Sequence, residues 1–225
     1  MTILEGTVLT GSLRNSGTIN VQSSDLTVNL ADPGATAVNS GTLTIGSLQA
    51  FILEGGDFAN TGTVTLGNFG SVVVTGNYIQ TAGLTNLSDG ILTAGGLVDL
   101  EGGVLSGTGV INASVLNNAE LDVGQPGSPG VLTIVGDYTQ TSGGVLVMEI
   151  GARNPRGVDQ LDVTGQATLD GTLTVNLIDG FMPNTGNIFL LLAFASGTGT
   201  FATIDGDGGL FTPSYDTTGV TLVAN

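Results

Sequence analysis

The sequence predicts an all-β solenoid, short strands wound into stacked coils of about 20 residues each, a period typical of repeat architectures. Three observations predict it. Apolar and small polar residues alternate with period two, near-identical strand motifs recur at a regular interval, and Gly, Asn or Asp punctuates every few positions.

The alternation is clearest in Thr42-Leu-Thr-Ile45, Thr63-Val-Thr-Leu66, Val131-Leu-Thr-Ile134, Leu161-Asp-Val-Thr164 and Thr172-Leu-Thr-Val-Asn-Leu177. A strand sends successive side chains to opposite faces, so this pattern reads as half-buried strand. No stripe of helical period runs beyond two turns. The 38 glycines among 225 residues would each cost a helix about 1 kcal/mol.

The interval is set by Asn39-Ser-Gly-Thr-Leu-Thr-Ile45 and Asn60-Thr-Gly-Thr-Val-Thr-Leu66, one motif that opens at Asn39 and again at Asn60. An earlier copy, Asn15-Ser-Gly-Thr-Ile-Asn-Val21, stands slightly further upstream of Asn39 than Asn39 stands of Asn60. Weaker copies open at Thr81, Glu101 and Asn118. One period holds three short strands, read as 63–66, 71–75 and 78–81. Stacked in parallel at the interstrand spacing of ~4.8 Å, such coils place Leu43, Ile45, Val64 and Leu66 inside and Thr42, Thr44, Thr63 and Thr65 outside. The Asn before each Gly suits a tight bend, and Asn15, Asn39 and Asn60 are expected to stack as an amide ladder. An antiparallel sandwich would not require near-identical copies at this interval.

Two regions are expected, continuous with each other: repeat coils over 1–125 and a C-terminal, capping part over 126–225. The punctuation Gly124-Gln-Pro-Gly-Ser-Pro-Gly130 separates them. Five of the eight phenylalanines follow residue 180, where large side chains can close a solenoid core and cover an open sheet edge.

Composition excludes much chemistry. There is no His, Cys or Lys, which removes the Ser-His-Asp triad, the cysteine nucleophile, the usual zinc site and the Schiff base. A formal net charge of -16 repels nucleic acid and anionic membranes. The longest apolar run, 188–195, has strand length, well short of the roughly 18 residues of a membrane helix. Met1-Thr-Ile-Leu-Glu5 lacks the basic start and apolar run of a secretory leader.

The run Gly136-Asp-Tyr-Thr-Gln-Thr-Ser-Gly-Gly-Val-Leu-Val147, then Asp159-Gln-Leu-Asp-Val-Thr-Gly165, then Phe181-Met-Pro-Asn-Thr-Gly-Asn-Ile-Phe189 and Gly197-Thr-Gly-Thr-Phe201, resembles the distal passenger region of bacterial autotransporters and related repeat-rich surface proteins. The resemblance covers about 130–225. It implies a right-handed parallel β-helix exposed outside the cell, with a C-terminal part that helps nucleate folding. The lack of Cys fits passengers that cross an outer membrane unfolded. The family's membrane barrel and linker helix have no counterpart here, so the expectation is a fragment, or a relative exported and anchored differently.

Candidate chemistry is sparse. Asp99 with Glu101, and Asp205 with Asp207, are two apart and would share a strand face, as the paired carboxylates of a polysaccharide-degrading β-helix enzyme would. With no Lys or His, Arg14, Arg153 and Arg156 leave little to bind an acidic sugar, aromatic sugar platforms are scarce with no Trp and three Tyr, and solvated acids at bends is the better reading. Asp205-Gly-Asp207-Gly is a calcium candidate through its hard oxygens, although it lacks the remaining ligands of a calcium loop. The outward pairs Thr42/Thr44 and Thr63/Thr65 resemble the grid of ice-binding solenoids, but the next coil offers Thr85 alone. Arg153-Asn-Pro-Arg156 is the one basic cluster and is expected in a loop between Ile150 and Val158.

The function expected is therefore structural and not enzymatic, with no cofactor beyond loosely held Ca2+: an extracellular or cell-surface stalk, adhesin segment or self-assembling filament subunit. Its expected partners are further copies stacked end to end or a larger parent chain, and a host or matrix glycan or protein. Nucleic acid binding and membrane insertion are not expected. The alternatives are the β-helix enzyme and an ice-binding or carbohydrate-binding solenoid.

Overall fold

The computed structural model describes residues 1–3, 5–32, 34–206 and 208–225. These form a β-solenoid with three strand-bearing faces. The first face is one parallel sheet of ten strands, running from Thr2–Ile3 through Thr18–Val21, Thr42–Ile45 and Thr63–Leu66 to Thr203–Asp205. The second begins with Thr7–Gly11, Leu26–Leu30, Ala50–Glu54 and Ser71–Val74, and the third with Arg14–Asn15, Ala35–Asn39, Gly56–Asn60 and Tyr78–Gln80. From residue 90 onward, long strands such as Gly90–Leu100 and Gly109–Asn117 run across both of the latter faces.

The register is the one the repeated motif dictates. Thr42 pairs with Thr63 and Ile45 with Leu66, while Asn15 pairs with Asn39 across a slightly longer stretch of chain. Each coil closes one circuit, so the corners absorb the differences in length. The strand triplet read as 63–66, 71–75 and 78–81 is observed as Thr63–Leu66, Ser71–Val74 and Tyr78–Gln80. Only one short 3-10 turn, Pro155–Gly157, interrupts the β structure among the described residues.

Inward positions stack like on like. Leu43 lies beneath Val64, Ile45 beneath Leu66 and Phe51 beneath Val72, all essentially buried. Burying each such side chain stabilises the coil by about 1.5–3 kcal/mol. Phe58 stacks on Tyr78 with ring centroids 5.4 Å apart and planes at 29°. The outward threonines Thr42, Thr44, Thr63 and Thr65 are half-buried between neighbours on their own face, as the alternation requires.

The amide ladder is present. Asn15 Nδ2 donates to Asn39 Oδ1 at 2.7 Å, and Asn39 Nδ2 to Asn60 Oδ1 at 2.8 Å. The first two amides also donate to the carbonyls of Thr42 and Thr63, one coil further on. The column continues into residues the motif did not reveal. Asn60 Nδ2 reaches Gln80 Oε1 at 3.4 Å, and the Thr85 hydroxyl joins Gln80 and the Tyr78 hydroxyl. Thr85 is thus an inward residue, paired with Val64 and Leu105, and not a member of the outward threonine grid. Further along, Asn117 rather than Asn118 takes the ladder position and donates to the Tyr138 hydroxyl, which in turn donates to Gln140. Burial pushes both phenols well above their ordinary ionisation range.

The glycine after each ladder Asn has a steric cause. A Cβ on Gly62 would stand 2.1 Å from the Gly41 carbonyl oxygen, and one on Gly41 the same distance from that of Gly17. Successive corners approach so closely that the backbone leaves no room for a side chain.

The parallel stack continues past the 124–130 loop, since Gly109–Asn117 pairs with Val131–Ile134 and Tyr138–Gln140. It ends at an antiparallel cap. Gly219–Ala224 pairs antiparallel with Ile188–Gly199 and with Phe211–Tyr215. Phe189 meets Phe181 and Phe211 edge to face, with centroids 6.0 and 5.6 Å apart. The late phenylalanines thus close the core at this end.

Candidate functional site

The first candidate surface is a groove at the corner between the first and second faces. Its depth follows from unequal corners on successive coils. The corner of one coil shrinks to Gly107-Thr108-Gly109, between Val104–Gly107 and Gly109–Asn117. The next expands to the loop 124–130, between Glu120–Val123 and Val131–Ile134. A groove of about 720 Å3 opens between them, lined on one side by Asn68, Ser88 and Asp89 and on the other by Gln125, Ser128 and Val131.

Thr108 forms the floor, its hydroxyl donating to Asp89 Oδ1. Gln125 Nε2 donates to Ser88 Oγ at 3.2 Å, and Ser88 to Asn86 Oδ1 at 2.6 Å. The near wall carries strain: Ser88 and Asp89, and Phe69 next to Asn68, have φ of 42°, 62° and 56°. That conformation costs a residue with a Cβ roughly 1–2 kcal/mol. It is held by stacking, because Phe69 N donates to the Asp89 carbonyl and Asp89 N to that of Thr108.

The far wall is clamped by two acids. Both oxygens of Glu149 accept from Gly127 N, at 2.9 and 3.1 Å. Asp159, wholly buried, accepts from Gly130 N at 2.7 Å and from Glu149 N at 2.6 Å. Gly124 is needed beneath it, at φ 84° and with Asp159 Oδ1 2.3 Å from where a Cβ would stand. Burial outweighs the two bonds from backbone N–H groups and pushes Asp159 up to about 7, with Glu149 and Asp122 adding repulsion. Asp122 rises to about 6, first through burial and then through Glu120 and Glu149.

The second candidate surface is the edge formed by Thr2–Ile3, Thr7–Gly11 and Arg14–Asn15, each paired on one side only among the described residues. Leu9 and Leu13 are only partly buried there, whereas Val28, the partner of Leu9 one coil on, is buried. Asn60 Oδ1 accepts from both Asn39 Nδ2 and Gly62 N. Asn15 Oδ1 accepts from Gly17 N alone among the described residues. A Cβ on Gly17 would meet nothing within 4 Å.

The residues singled out in the sequence are dispersed. Asp99 points outward from the third-face part of its strand, but that strand ends at Leu100, so Glu101 begins the corner instead of sharing the face. Asp205 ends the last first-face strand, exposed, its Oδ1 accepting from Gly206 N at 2.8 Å. Asp207 lies outside the described residues. No group of three or more acidic side chains placed to hold a metal occurs among the described residues. Arg153 and Arg156 lie in the expected loop, beside a hollow of about 260 Å3 lined by Ile188 and Leu190. Thr18, Thr42 and Thr63 align on the first face, where the next position is Leu84.

The groove is not visible in the sequence, because its lining comes from four coils whose corners differ in length. The one signal is the punctuation at 124–130. No protein-family model matches the chain, and no curated protein is significantly similar to it in sequence.

Proposed function

We propose that the chain is a structural rod whose solenoid is extended by a further coil stacked on its open edge. In this reading it is an extracellular or cell-surface stalk, adhesin segment or self-assembling filament subunit, without bond chemistry. The further coil comes from a second copy, end to end, or from a larger parent chain. The observation that carries the proposal is the corner at Gly17. Its two successors, Gly41 and Gly62, are glycine because a carbonyl of the preceding coil lies about where a Cβ would stand. Gly17 has the same motif with open space before it. The single-sided edge strands, the half-covered Leu9 and Leu13 and the spare acceptor at Asn15 support the same docking. The resemblance of 130–225 to autotransporter passengers supports the surface location.

Negative-stain microscopy and sedimentation, at low and millimolar calcium, test it on the purified chain and on Gly17→Ala. End-to-end association through the open edge is expected from the natural sequence, in pairs where the antiparallel cap keeps the opposite end closed. Short rods are expected from Gly17→Ala, with unchanged far-UV circular dichroism and the melting temperature of the dilute, unassembled natural chain, because the new methyl occupies the place of the incoming carbonyl. Monomeric rods from both proteins would overturn self-assembly and leave a parent chain as the source of the coil.

A further inference from the structure

We propose that the corner groove at Asn68, Asp89, Thr108 and Gln125 is a binding site for a neutral oligosaccharide. Its volume, about 720 Å3, falls within the range of about 300–1,000 Å3 in which small-molecule ligands are held. Its polar side chains are amides, hydroxyls and one carboxylate, the donor and acceptor set that matches a surface of hydroxyl groups. Asn68, the Ser128 hydroxyl and Gln125 Oε1 make no side-chain hydrogen bond to another described residue, so they remain available. Val131, 42% exposed, lines the groove, and Phe69, 60% exposed, lies outside the lining but next to Asn68 at its rim. The apolar C–H faces of a sugar ring are suited to such surfaces, which combine an apolar body with nearby polar groups.

Charge selects among sugars. None of the three arginines lines the groove, Asp89 does, and the chain carries a net charge of -16. An acidic polysaccharide or a phosphate would be repelled. Preorganisation supplies the rest. The near wall is held by the strained stack of Phe69 and Asp89, and the far wall by Glu149 on Gly127 and Asp159 on Gly130. The ligand therefore has no loop to order, which is where weak polar sites lose affinity. The site does not depend on whether the rod self-assembles.

The test is amide-resolved NMR titration of the full-length Gly17→Ala chain, whose exchange lies outside the groove and keeps the rods single, with maltotriose, cellotriose and N-acetylchitotriose at millimolar concentration and galacturonic acid trisaccharide as the acidic control. At least one neutral sugar is expected to shift the amides of Asp89, Thr108, Gln125 and Ser128 in a saturable way. Asn68→Ala and Gln125→Ala are each expected to weaken it about tenfold, the loss of one good hydrogen bond, Asn68→Ala without a change in melting temperature and Gln125→Ala with only the small drop that follows from losing its bond to Ser88. Three results of the titration would overturn the proposal. These are no shift with any neutral sugar, shifts confined to another face, and binding of the acidic control as tight as that of the neutral sugars. A concentration-dependent shift of the same amides without sugar would instead assign the groove to contacts between copies and equally overturn it.

Discussion

Asn15 and Asn39, well separated in the chain, are joined inside the solenoid by one amide hydrogen bond of 2.7 Å, and Asn39 repeats the bond to Asn60 at 2.8 Å. Each amide presents its oxygen to the coil before and its nitrogen to the coil after. The column therefore has a direction, and it fixes the stacking register at a corner where apolar side chains would tolerate slippage.

Asn39 is the link to break. Asn39→Ala strips Asn15 and Asn60 of one partner each and is expected to cost about 1–3 kcal/mol, the penalty of a buried group left short of a hydrogen bond. Asn39→Asp is expected to cost more at neutral pH, because it keeps the acceptor, loses the donor and turns a buried charge towards Asn60 Oδ1. Its deficit should shrink as pH falls, since a protonated carboxyl donates again. Urea denaturation of both variants at pH 7.5 and pH 4.5 checks the order. An Asp variant as stable as the Ala variant at pH 7.5 would contradict a directional ladder.

Corner glycines make a steric prediction. Gly62→Ala places a methyl 2.1 Å from the Gly41 carbonyl oxygen, a clash that only backbone displacement relieves. Overpacking of this kind typically costs about 1–3 kcal/mol, occasionally more. The same exchange at Gly17 is expected to be neutral in the monomer. Thermal melts of the two variants side by side read the difference directly, and equal losses would show that the glycines serve turn conformation rather than close approach.

Stability should rise as the solution is acidified towards pH 5. Asp159 and Asp122 stand at about 7 and about 6 in the folded chain, against an ordinary value of 3.8. Between those limits the folded state binds more protons than the unfolded one. The resulting stabilisation is complete below the ordinary carboxylate range and is lost as pH rises through about 6 and then about 7. Self-repulsion from the net charge of -16 acts in the same direction. The melting midpoint is therefore expected to be higher at pH 5 than at pH 8, and Asp122→Asn should raise it at pH 8 and flatten the slope. A midpoint that climbs from pH 5 to pH 8 would refute this assignment of the two acids.

The parts of the fold legible in the sequence are those with a short period. Alternation placed Leu43, Val64 and the outward threonines, and the copied Asn-Ser-Gly and Asn-Thr-Gly motifs placed the ladder and its register. Thr85 escaped because the alternation pattern treats a threonine as outward. Only the three-dimensional stack shows that the Tyr78 and Gln80 side chains arrive to satisfy its hydroxyl inside the core. Asn117 escaped for a related reason: two asparagines stand in a row, and the motif alone does not say which faces inward. The groove and the two acids that clamp its wall depend on corner lengths in neighbouring coils, a property with no local sequence signature. Asp159 lies a full coil away from the Gly130 amide it holds.

Phe189 makes the last test, because the cap and the coils should come apart separately. It is 2% exposed, sits in the strand where parallel pairing gives way to antiparallel pairing, and touches Phe181 and Phe211 edge to face. Phe189→Ala is expected to cost about 3–5 kcal/mol, as for other large-to-small changes in a packed core. In a stacked array each coil contacts chiefly its neighbours, so that loss should stay local. Hydrogen exchange is expected to speed up in Phe211–Tyr215 and Gly219–Ala224, while Thr42–Ile45 and Thr63–Leu66 keep their protection. With the antiparallel strands released, Ile188–Gly199 presents an unpaired edge, and the variant should form irregular aggregates through it, distinct from ordered stacking at the opposite end. Uniform loss of protection along the whole solenoid would mean instead that the cap and the coils fold as one cooperative unit.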